Sequence, residues 1–510
     1  MNYKKKRPSP RHRLLVLIWL LQLLSEGMAL AGIWRLNMLP EDYFLMLASV
    51  FGVMLFLTGL LMLPKGAARF QSGFGAFLSF AIFASACAAA LMVQDAHGAI
   101  QGISGHTASD LTLAVYVRSD DPAQKIQDAA AYRFAVVRDY EVENTQKVVD
   151  AVEEELGHQI QVVQYDGTQS LVSAFFSGKS DALILNSAYT SLLEEMEGYE
   201  DFYDRIRVLY EVKSSPWSSM LENIGQNGLF QNKDEKRNVT KDPFVVYLSG
   251  SDTRNKTLST TGRSDVNILA VVNPETKQVL LVNTPRDYYI PNPASSAGTK
   301  DKLTHCGNYG ITCSMQALMD LYGIELDYYA QINFTGLETM IDAIGGVTVT
   351  ADTSFTTMDG YHFPKGDVTL NGAQALSFAR ERKNLATGDN GRGRNQMKVI
   401  TAVIHKLTSG STLLANYGDI MESLTGMFAT SMPASDISSL VKMQLGDLAR
   451  WNIQSFAVTG TNGSAVTYSA PGMKLSVIYP DDEIVAYAAS LIERIMDDQI
   501  LSEADMTYHK

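Results

Sequence analysis

Apolar positions are spread unevenly along this chain. Three nearly unbroken apolar runs, at 14–36, 44–63 and 74–93, stand near its start, and after 93 the runs are short and divided by polar turns. A helix rises about 1.5 Å per residue, so a run of about 20 residues spans about 30 Å, the thickness of a bilayer core. The pattern predicts three membrane-spanning helices. Two further runs directly after the first, with no small-residue cleavage site between them, argue against a cleaved signal peptide.

Beyond 93 the periodicity switches between two and 3.6. Strands at 111–117, 134–137, 159–164, 182–186 and 206–212 alternate with helices at 142–156 and 169–177, the signature of an α/β layer with a partly parallel sheet. From 243 the pattern predicts strands at 244–248, 266–272 and 278–283, a helix at 314–322, a strand at 328–334 and a helix at 337–344 stopped by Gly345-Gly346. A strand at 347–350, helices at 372–379 and 395–407, a strand at 451–458 and a helix at 483–496 complete it. The expected class is α/β. Its organisation is a basic segment 1–13, three transmembrane helices in 14–93, a small polar linker 94–110 and a small accessory α/β domain 111–213. A second linker 214–242, a larger α/β domain 243–500 with a mixed central sheet flanked by helices, and a tail 501–510 follow.

Charge sharpens this picture. Residues 1–93 hold nine of the 42 Lys/Arg and three of the 55 Asp/Glu, which leaves the remainder at 33 against 52, a formal −19. Phosphate-backbone binding needs Lys/Arg neutralisation, so a body this acidic argues against a nucleic-acid partner. Basic residues at 4–7, 11 and 13, and Lys65 and Arg69 between the second and third runs, mark the cytoplasmic side. The expectation is a multi-pass protein of the cell membrane with a cytoplasmic N-terminus and both α/β domains outside. Glu26, inside the first run, is expected to make a helix-packing contact. Cys87 lies in the third run. Cys306 and Cys313 are expected to close a small disulfide loop in an oxidising exterior, two free thiols being the alternative. His305 has no second Cys/His pair near it, which argues against zinc.

The candidate chemistry sits at strand ends. Asp252 follows one predicted strand, Arg263 and Asp265 open the next, and Arg286 follows the third. A hairpin centred on Glu275 sets Asp265 opposite Pro285 and beside Arg286. Downstream come Arg380-Glu381-Arg382, Asp389, Arg392, Arg394 and Gln396. If Arg380-Glu381-Arg382 is extended, both guanidiniums share one face and Glu381 points away. Guanidinium forks match phosphate oxygens bidentately. Aspartates among them suit Mg²⁺ bridging carboxylate and phosphate. Isolated surface salt bridges are the plain alternative, but their placement at strand ends and loops of an acidic domain points to a pyrophosphate site. Leu337, Met340, Ile341 and Ile344 form an apolar helix stripe, suited to core packing or to lining a lipid slot.

These residues fall in seven stretches: GSDTR at 250–254, GRSDVNIL at 262–269, NTPRD at 283–287, DKLTHCGNYG at 301–310, FTGLETMIDAIGGVTV at 334–349, LNGAQALSFARER at 370–382 and GDNGRGRNQMKVI at 388–400. In this order they resemble the LytR-CpsA-Psr family of cell-envelope phosphotransferases, and the three spans with an extra α/β domain resemble its CpsA-type branch. Many members carry Arg directly before the last Gln, where this chain has Asn395 and has Arg394 one residue earlier.

The resemblance implies transfer of a glycopolymer, capsular or teichoic acid-like, from a polyprenyl-pyrophosphate carrier to peptidoglycan, releasing polyprenyl phosphate. It implies Asp252 and Asp265 as ligands of Mg²⁺, or of Mn²⁺ instead. Arg263, Arg286, Arg380, Arg382 and Arg392 would neutralise the pyrophosphate, Gln396 would support it, and Asp389 would orient or deprotonate the acceptor hydroxyl. The accessory domain is expected to meet capsule or wall-polymer assembly proteins. Two rival readings remain at this point: a lipid-pyrophosphate hydrolase using water as acceptor, and a regulatory scaffold that binds lipid-linked polysaccharide without transferring it.

Overall fold

The computed structural model describes residues 9–64, 67–104, 111–138, 142–186, 201–214, 237–251, 262–295, 298–385, 388–409 and 424–508, with single positions between. Its first unit is helical. Helix α1 (Pro10–Leu36) starts with proline at its first position and Ser9 as cap, the Ser9 hydroxyl accepting the His12 N–H. Helix α2 (Glu41–Met62) opens with Glu41 and Asp42, favourable to the helix dipole. Helix α3 (Arg69–Ile103) follows. All three are long and apolar enough to cross a membrane. Residues 94–103, expected to be linker, instead continue α3. They contain no proline, and Ala96, Ile100 and Ile103 keep a buried stripe at helical spacing.

Glu26 is buried, and its carboxylate accepts from the Gln22 amide one turn earlier on α1 at 2.8 Å, a bond within the helix. Across to α2, the Thr58 hydroxyl donates to Gln22 Oε1 at 3.0 Å. With the Trp19 indole N–H on the Leu55 carbonyl at 2.9 Å, this bond registers α1 against α2 where apolar contacts alone would let them slide.

The second unit holds two sheets. Strands β1 (Leu111–Arg118), β2 (Arg133–Val137), β3 (Gln161–Tyr165), β4 (Ala182–Asn186) and β5 (Ile206–Ser214) form the accessory sheet in the order β3-β2-β4-β1-β5. Helices α4 (Val142–Leu156) and α5 (Gly167–Phe176) are its crossovers. They make β2 parallel to both β3 and β4, while β1 runs antiparallel to β4 and β5.

The larger sheet is mixed and six-stranded. Strands β6 (Phe244–Ser251), β7 (Ser264–Asn273) and β8 (Gln278–Asn283) form an antiparallel meander. All six β8 residues are buried, as a central strand requires. The β7–β8 register pairs Asn273 with Gln278 and Ile268 with Asn283. The turn between them holds Pro274, Glu275, Thr276 and Lys277, the last at φ 55, so the hairpin axis lies between Glu275 and Thr276. Counting on, Asp265 therefore opposes Arg286 rather than Pro285, a correction of one residue.

Short strands β9 (Tyr289–Pro291) and β10 (Lys300–Lys302), a single helical turn α6 (Leu303–Cys306) and helix α7 (Ile311–Tyr322) follow. Strand β11 (Tyr328–Asn333) joins β6 in parallel. Helix α8 (Phe334–Ala343), strands β12 (Val347–Ala351), β13 (Phe355–Thr356), β14 (His362–Phe363) and β15 (Gly366–Leu370), and helices α9 (Gly372–Arg380) and α10 (Gly388–Thr408) build the part above the sheet's ends. Strand β16 (Phe428–Thr430) closes one edge on β11. After α11 (Ala434–Asp447), β17 (Asn452–Ala457) closes the other edge beside β8. The hairpin β18 (Gly460–Thr467) and β19 (Ala470–Pro480) leads to α12 (Asp482–Met496), which packs on β7 and β8.

Three expectations about organisation change. Residues 406–425 and 433–450 group with the helical unit, not with the larger α/β domain, and Lys442 Nζ donates to Asn37 Oδ1 at 3.1 Å. The accessory and larger domains form one unit: Leu171, Phe175, Tyr189 and Phe202 belong to the same apolar core as Val245, Leu280, Tyr309 and Ile478. Of the linker 214–242, residues 215–236 lie outside the described residues. The expected tail is packed, since Leu501 is buried with its N–H on Gln278 Oε1 at 2.8 Å, and Arg494 pairs with Asp505 at 2.8 Å.

Cys306 and Cys313 are free thiols, not a disulfide. Both are fully buried, Cys306 bonds to Cys313, and the Cys313 thiol donates to Asn292 Oδ1 at 3.4 Å. Hydrogen bonding thus satisfies both sulfurs without a covalent link. The Cys313 partner and burial together push the Cys306 thiol well above its ordinary range.

Candidate active site

A cavity of about 390 Å³ opens where the ends of β7 and β8 meet α9 and α10. Arg263 and Asp265, at the start of β7, form one wall, and Arg286, three residues past β8, stands beside them. Arg286 Nη1 donates to Asp265 Oδ1 at 2.7 Å, with the two side chains 18% and 15% exposed. The Thr304 hydroxyl of α6 donates to the same oxygen at 3.5 Å. One step further, Asp287 pairs with Lys302 at 3.2 Å and lies 3.7 Å from Arg286 Nε. Burial works to raise the Asp287 pKa, but Lys302 and Arg286 outweigh it and hold the carboxyl below its usual range.

The opposite wall comes from the end of α9. Arg380 is its last residue, and its guanidinium carbon lies 4.6 Å from the centre of the Phe334 ring, an arrangement that fixes its direction. Glu381 and Arg382 continue the wall. Glu381 does not point away as alternation implies. It is 5% exposed, and its carboxylate accepts the backbone N–H groups of Met358 at 3.0 Å and of Arg382 and Asn384 at 2.9 Å each. A chain that turns sharply after a helix end leaves such donors open, and Glu381 fills them.

Arg392 and Gln396, one helical turn apart on α10, complete the lining. The helix reaches the site because Gly393 lacks a side chain: a Cβ there would stand 2.3 Å from Asn283 Nδ2 at the end of β8. Asn395 is buried and its amide donates to the Phe378 carbonyl at 3.1 Å, which ties α10 to α9. Arg394 is not among the residues lining the cavity.

Of the other candidates, Asp252 lies outside the described residues, although its neighbour Ser251 pairs with Ser264, next to Asp265. Asp389 lies in the first turn of α10, with its side chain outside the described residues. Leu337, Met340, Ile341 and Ile344 do not line this cavity; Ile341 and Ile344 are core residues, and from the same helix only Phe334 reaches the wall.

The family model described as the LytR_cpsA_psr family matches residues 217–478. A polyisoprenyl-teichoic acid–peptidoglycan teichoic acid transferase TagU of Oceanobacillus iheyensis is 31% identical over 265 residues, 51% of this chain and 78% of the relative. The chain belongs to the LytR-CpsA-Psr family.

Another relative of the family, the TagU transferase of Enterococcus faecalis, is 35% identical over 201 residues, which cover 39% of this chain and 65% of its own length. Among solved structures, Bacillus subtilis TagV aligns over 51% of this chain and 99% of its own, at 23% identity and a TM-score of 0.43. The Lin1025 protein from Listeria innocua aligns over 50% of this chain and all of its own, at 30% identity and a TM-score of 0.40. Within this LytR-CpsA-Psr chain, the cavity also gathers residues that the sequence reading passed over. Thr357, Met358 and Asp359, on the turn between β13 and β14, and Ser377 of α9 line it as well. Two-residue strands carry too little periodicity to reveal that turn. The one available signal was the spacing of Ser377 and Glu381, four apart, which puts both on the face of α9 that meets it.

Proposed function

We propose that this enzyme transfers a glycopolymer from a polyprenyl-pyrophosphate carrier to a peptidoglycan hydroxyl. The observation that carries the reading is the set of five guanidiniums, Arg263, Arg286, Arg380, Arg382 and Arg392, converging on one cavity of an otherwise acidic body. Such donors answer the spread charge of a pyrophosphate and of its transition state, where catalysis is mostly positioning and charge stabilisation. The acceptor oxygen attacks the phosphorus that bears the glycan. The bond from that phosphorus to the bridging oxygen breaks, and polyprenyl phosphate leaves with the electron pair. Asp389 takes the hydroxyl proton in this scheme, and Gln396 donates to a phosphate oxygen. The Asp265–Arg286 ion pair fixes the Arg286 fork before substrate arrives.

Mg²⁺ fits this donor set. It binds through one or two carboxylates plus phosphate oxygens rather than in an all-protein cage, and Asp265 faces the cavity beside the arginines that would hold the phosphates. Asp265, with Asp252, would hold it, and when bound it would neutralise pyrophosphate oxygens.

The full chain in detergent, incubated with a lipid-pyrophosphoryl oligosaccharide and peptidoglycan fragments, tests the reading. Glycan coupled to the fragment supports transfer. Free sugar phosphate as the only product makes the protein a hydrolase, and no turnover with intact binding makes it a scaffold. The reading also places the cavity outside the membrane. A cysteine introduced at Ser104 should then react with an impermeant thiol reagent in intact cells; labelling seen only after lysis overturns that topology.

A further inference from the structure

Three carboxylates line the cavity among the described residues, and two are already committed. Asp265 is paired with Arg286 at 2.7 Å. Glu381 is taken up by three backbone N–H groups. The third, Asp359, is exposed at the mouth, and its hydrogen-bond partner among the described residues is a neutral group, the Ser377 hydroxyl, 3.3 Å from Oδ2.

Its position is nonetheless fixed. Asp359 sits in the turn that closes the β13–β14 hairpin, where the Thr357 N–H donates to the Tyr361 carbonyl at 2.9 Å and the Gly360 N–H to the Thr357 carbonyl at 3.0 Å. Gly360 takes φ 87, which favours glycine. The last turn of α9 and the residue that caps it hold this loop at two points: Ser377 Oγ lies 2.9 Å from Thr357 Oγ1, and the Glu381 carboxylate accepts the Met358 N–H. The helix turn that aims Arg380 and Arg382 thus also holds the Asp359 loop.

The donor and acceptor pattern then identifies the ligand chemistry. Guanidiniums donate and never accept, and ionised phosphate oxygens accept and never donate. Without a bridging cation, a carboxylate at the mouth repels a phosphate. It does accept from hydroxyls, two at a time where they are vicinal. We propose that Asp359 is a carbohydrate-contacting residue of this site, accepting hydroxyl hydrogen bonds from a sugar next to the reacting pyrophosphate. The proposal rests on the pyrophosphate reading above and extends it from the phosphate to the sugar.

The test uses the full chain in detergent and two ligands, a short-chain polyprenyl pyrophosphate without sugar and the same lipid pyrophosphate carrying a disaccharide. Asp359→Ala should weaken the sugar-bearing ligand by about tenfold or more. It should leave the sugar-free ligand unchanged or slightly tighter, because a negative charge is gone. Asp359→Asn, which keeps one acceptor oxygen, should fall between. If donor affinity is unchanged but the KM for a peptidoglycan fragment rises about tenfold, the contacted sugar is the acceptor's. Equal loss for both ligands, no change in either affinity or in KM, or a loss relieved by excess Mg²⁺ overturns the proposal. Wild-type protein that binds neither lipid pyrophosphate overturns the pyrophosphate reading itself, a separate and recognisable failure. Melting temperatures of both variants should match wild type, since the residue lies on an exposed turn.

Discussion

Arg380 and Arg382 stand two residues apart and line the same cavity, as an extended segment demands. The residue between them does not behave as in a strand. Glu381 has φ −61 and ψ 129, but the chain turns at once through Lys383 and Asn384, and the Glu381 carboxylate folds back onto the turn's own N–H groups. Alternation was therefore legible for the two arginines and misleading for Glu381, because the sequence shows spacing but not which backbone donors a helix end leaves unfilled. The same limit applies to Cys306 and Cys313, whose spacing suited a disulfide while their burial and thiol hydrogen bonds do not require one. The arginine assignment yields a direct prediction. Arg380→Lys and Arg382→Lys keep the charge and lose the planar fork. Each should lower the transfer rate by roughly tenfold to a thousandfold, on the order of 1.4–4 kcal/mol of transition-state stabilisation, with an unchanged melting temperature. Wild-type rates in both variants would show that neither guanidinium grips the substrate.

The elements that position the site were mostly legible where they are long and periodic, such as α4, β4 and β8, and lost where they are short or glycine-bearing. The β18–β19 hairpin went unread because Gly460 and Gly463 break its pattern; the Tyr479 ring lies where a Cβ on Gly463 would be, 2.3 Å from Tyr479 Cε2. A second close approach carries the consequence for the site. The single turn at Gly307–Tyr309, after α6, packs on the loop leading into β7. A Cβ on Gly307 would stand 2.4 Å from the Gly262 carbonyl oxygen and 2.9 Å from the Ser264 nitrogen, both backbone atoms with no rotamer to move aside. Gly262 N–H also donates to the Gly307 carbonyl at 3.1 Å. Gly307→Ala must push this loop and, with it, Arg263. The expected cost is about 1–3 kcal/mol of stability. Weaker pyrophosphate binding should also persist at temperatures where the variant is fully folded. A variant as stable as wild type that binds as tightly would show that this packing does not set the position of Arg263.

At the scale of the whole molecule, two α/β segments joined by a polar stretch read naturally as two domains, and composition gave no reason to doubt it. What joins them is tertiary packing, which no local pattern encodes. Tyr189 of the accessory part and Tyr309 of the larger part are hydrogen-bonded through their hydroxyls, and Tyr309 in turn packs on Tyr468 with ring centres 6.2 Å apart. Helix α5 packs on β19, and a single apolar cluster runs from Phe175 and Phe202 to Leu280 and Ile478. Tyr309 lies two residues after Gly307, so the accessory part abuts the segment that supports Arg263 and, through Thr304, Asp265. Independent domains respond to damage separately; a shared core responds together. Phe202→Ala, a truncation of a fully buried ring in the accessory part, should cost about 3–5 kcal/mol. Hydrogen exchange on the full chain is the measurement. With one core, the amides of β6 to β8 lose protection in this variant along with those of β1 and β4. Faster exchange confined to the accessory strands would mean that the two parts unfold separately, and that the contact at Tyr189 and Tyr309 is a surface meeting rather than a continuous interior.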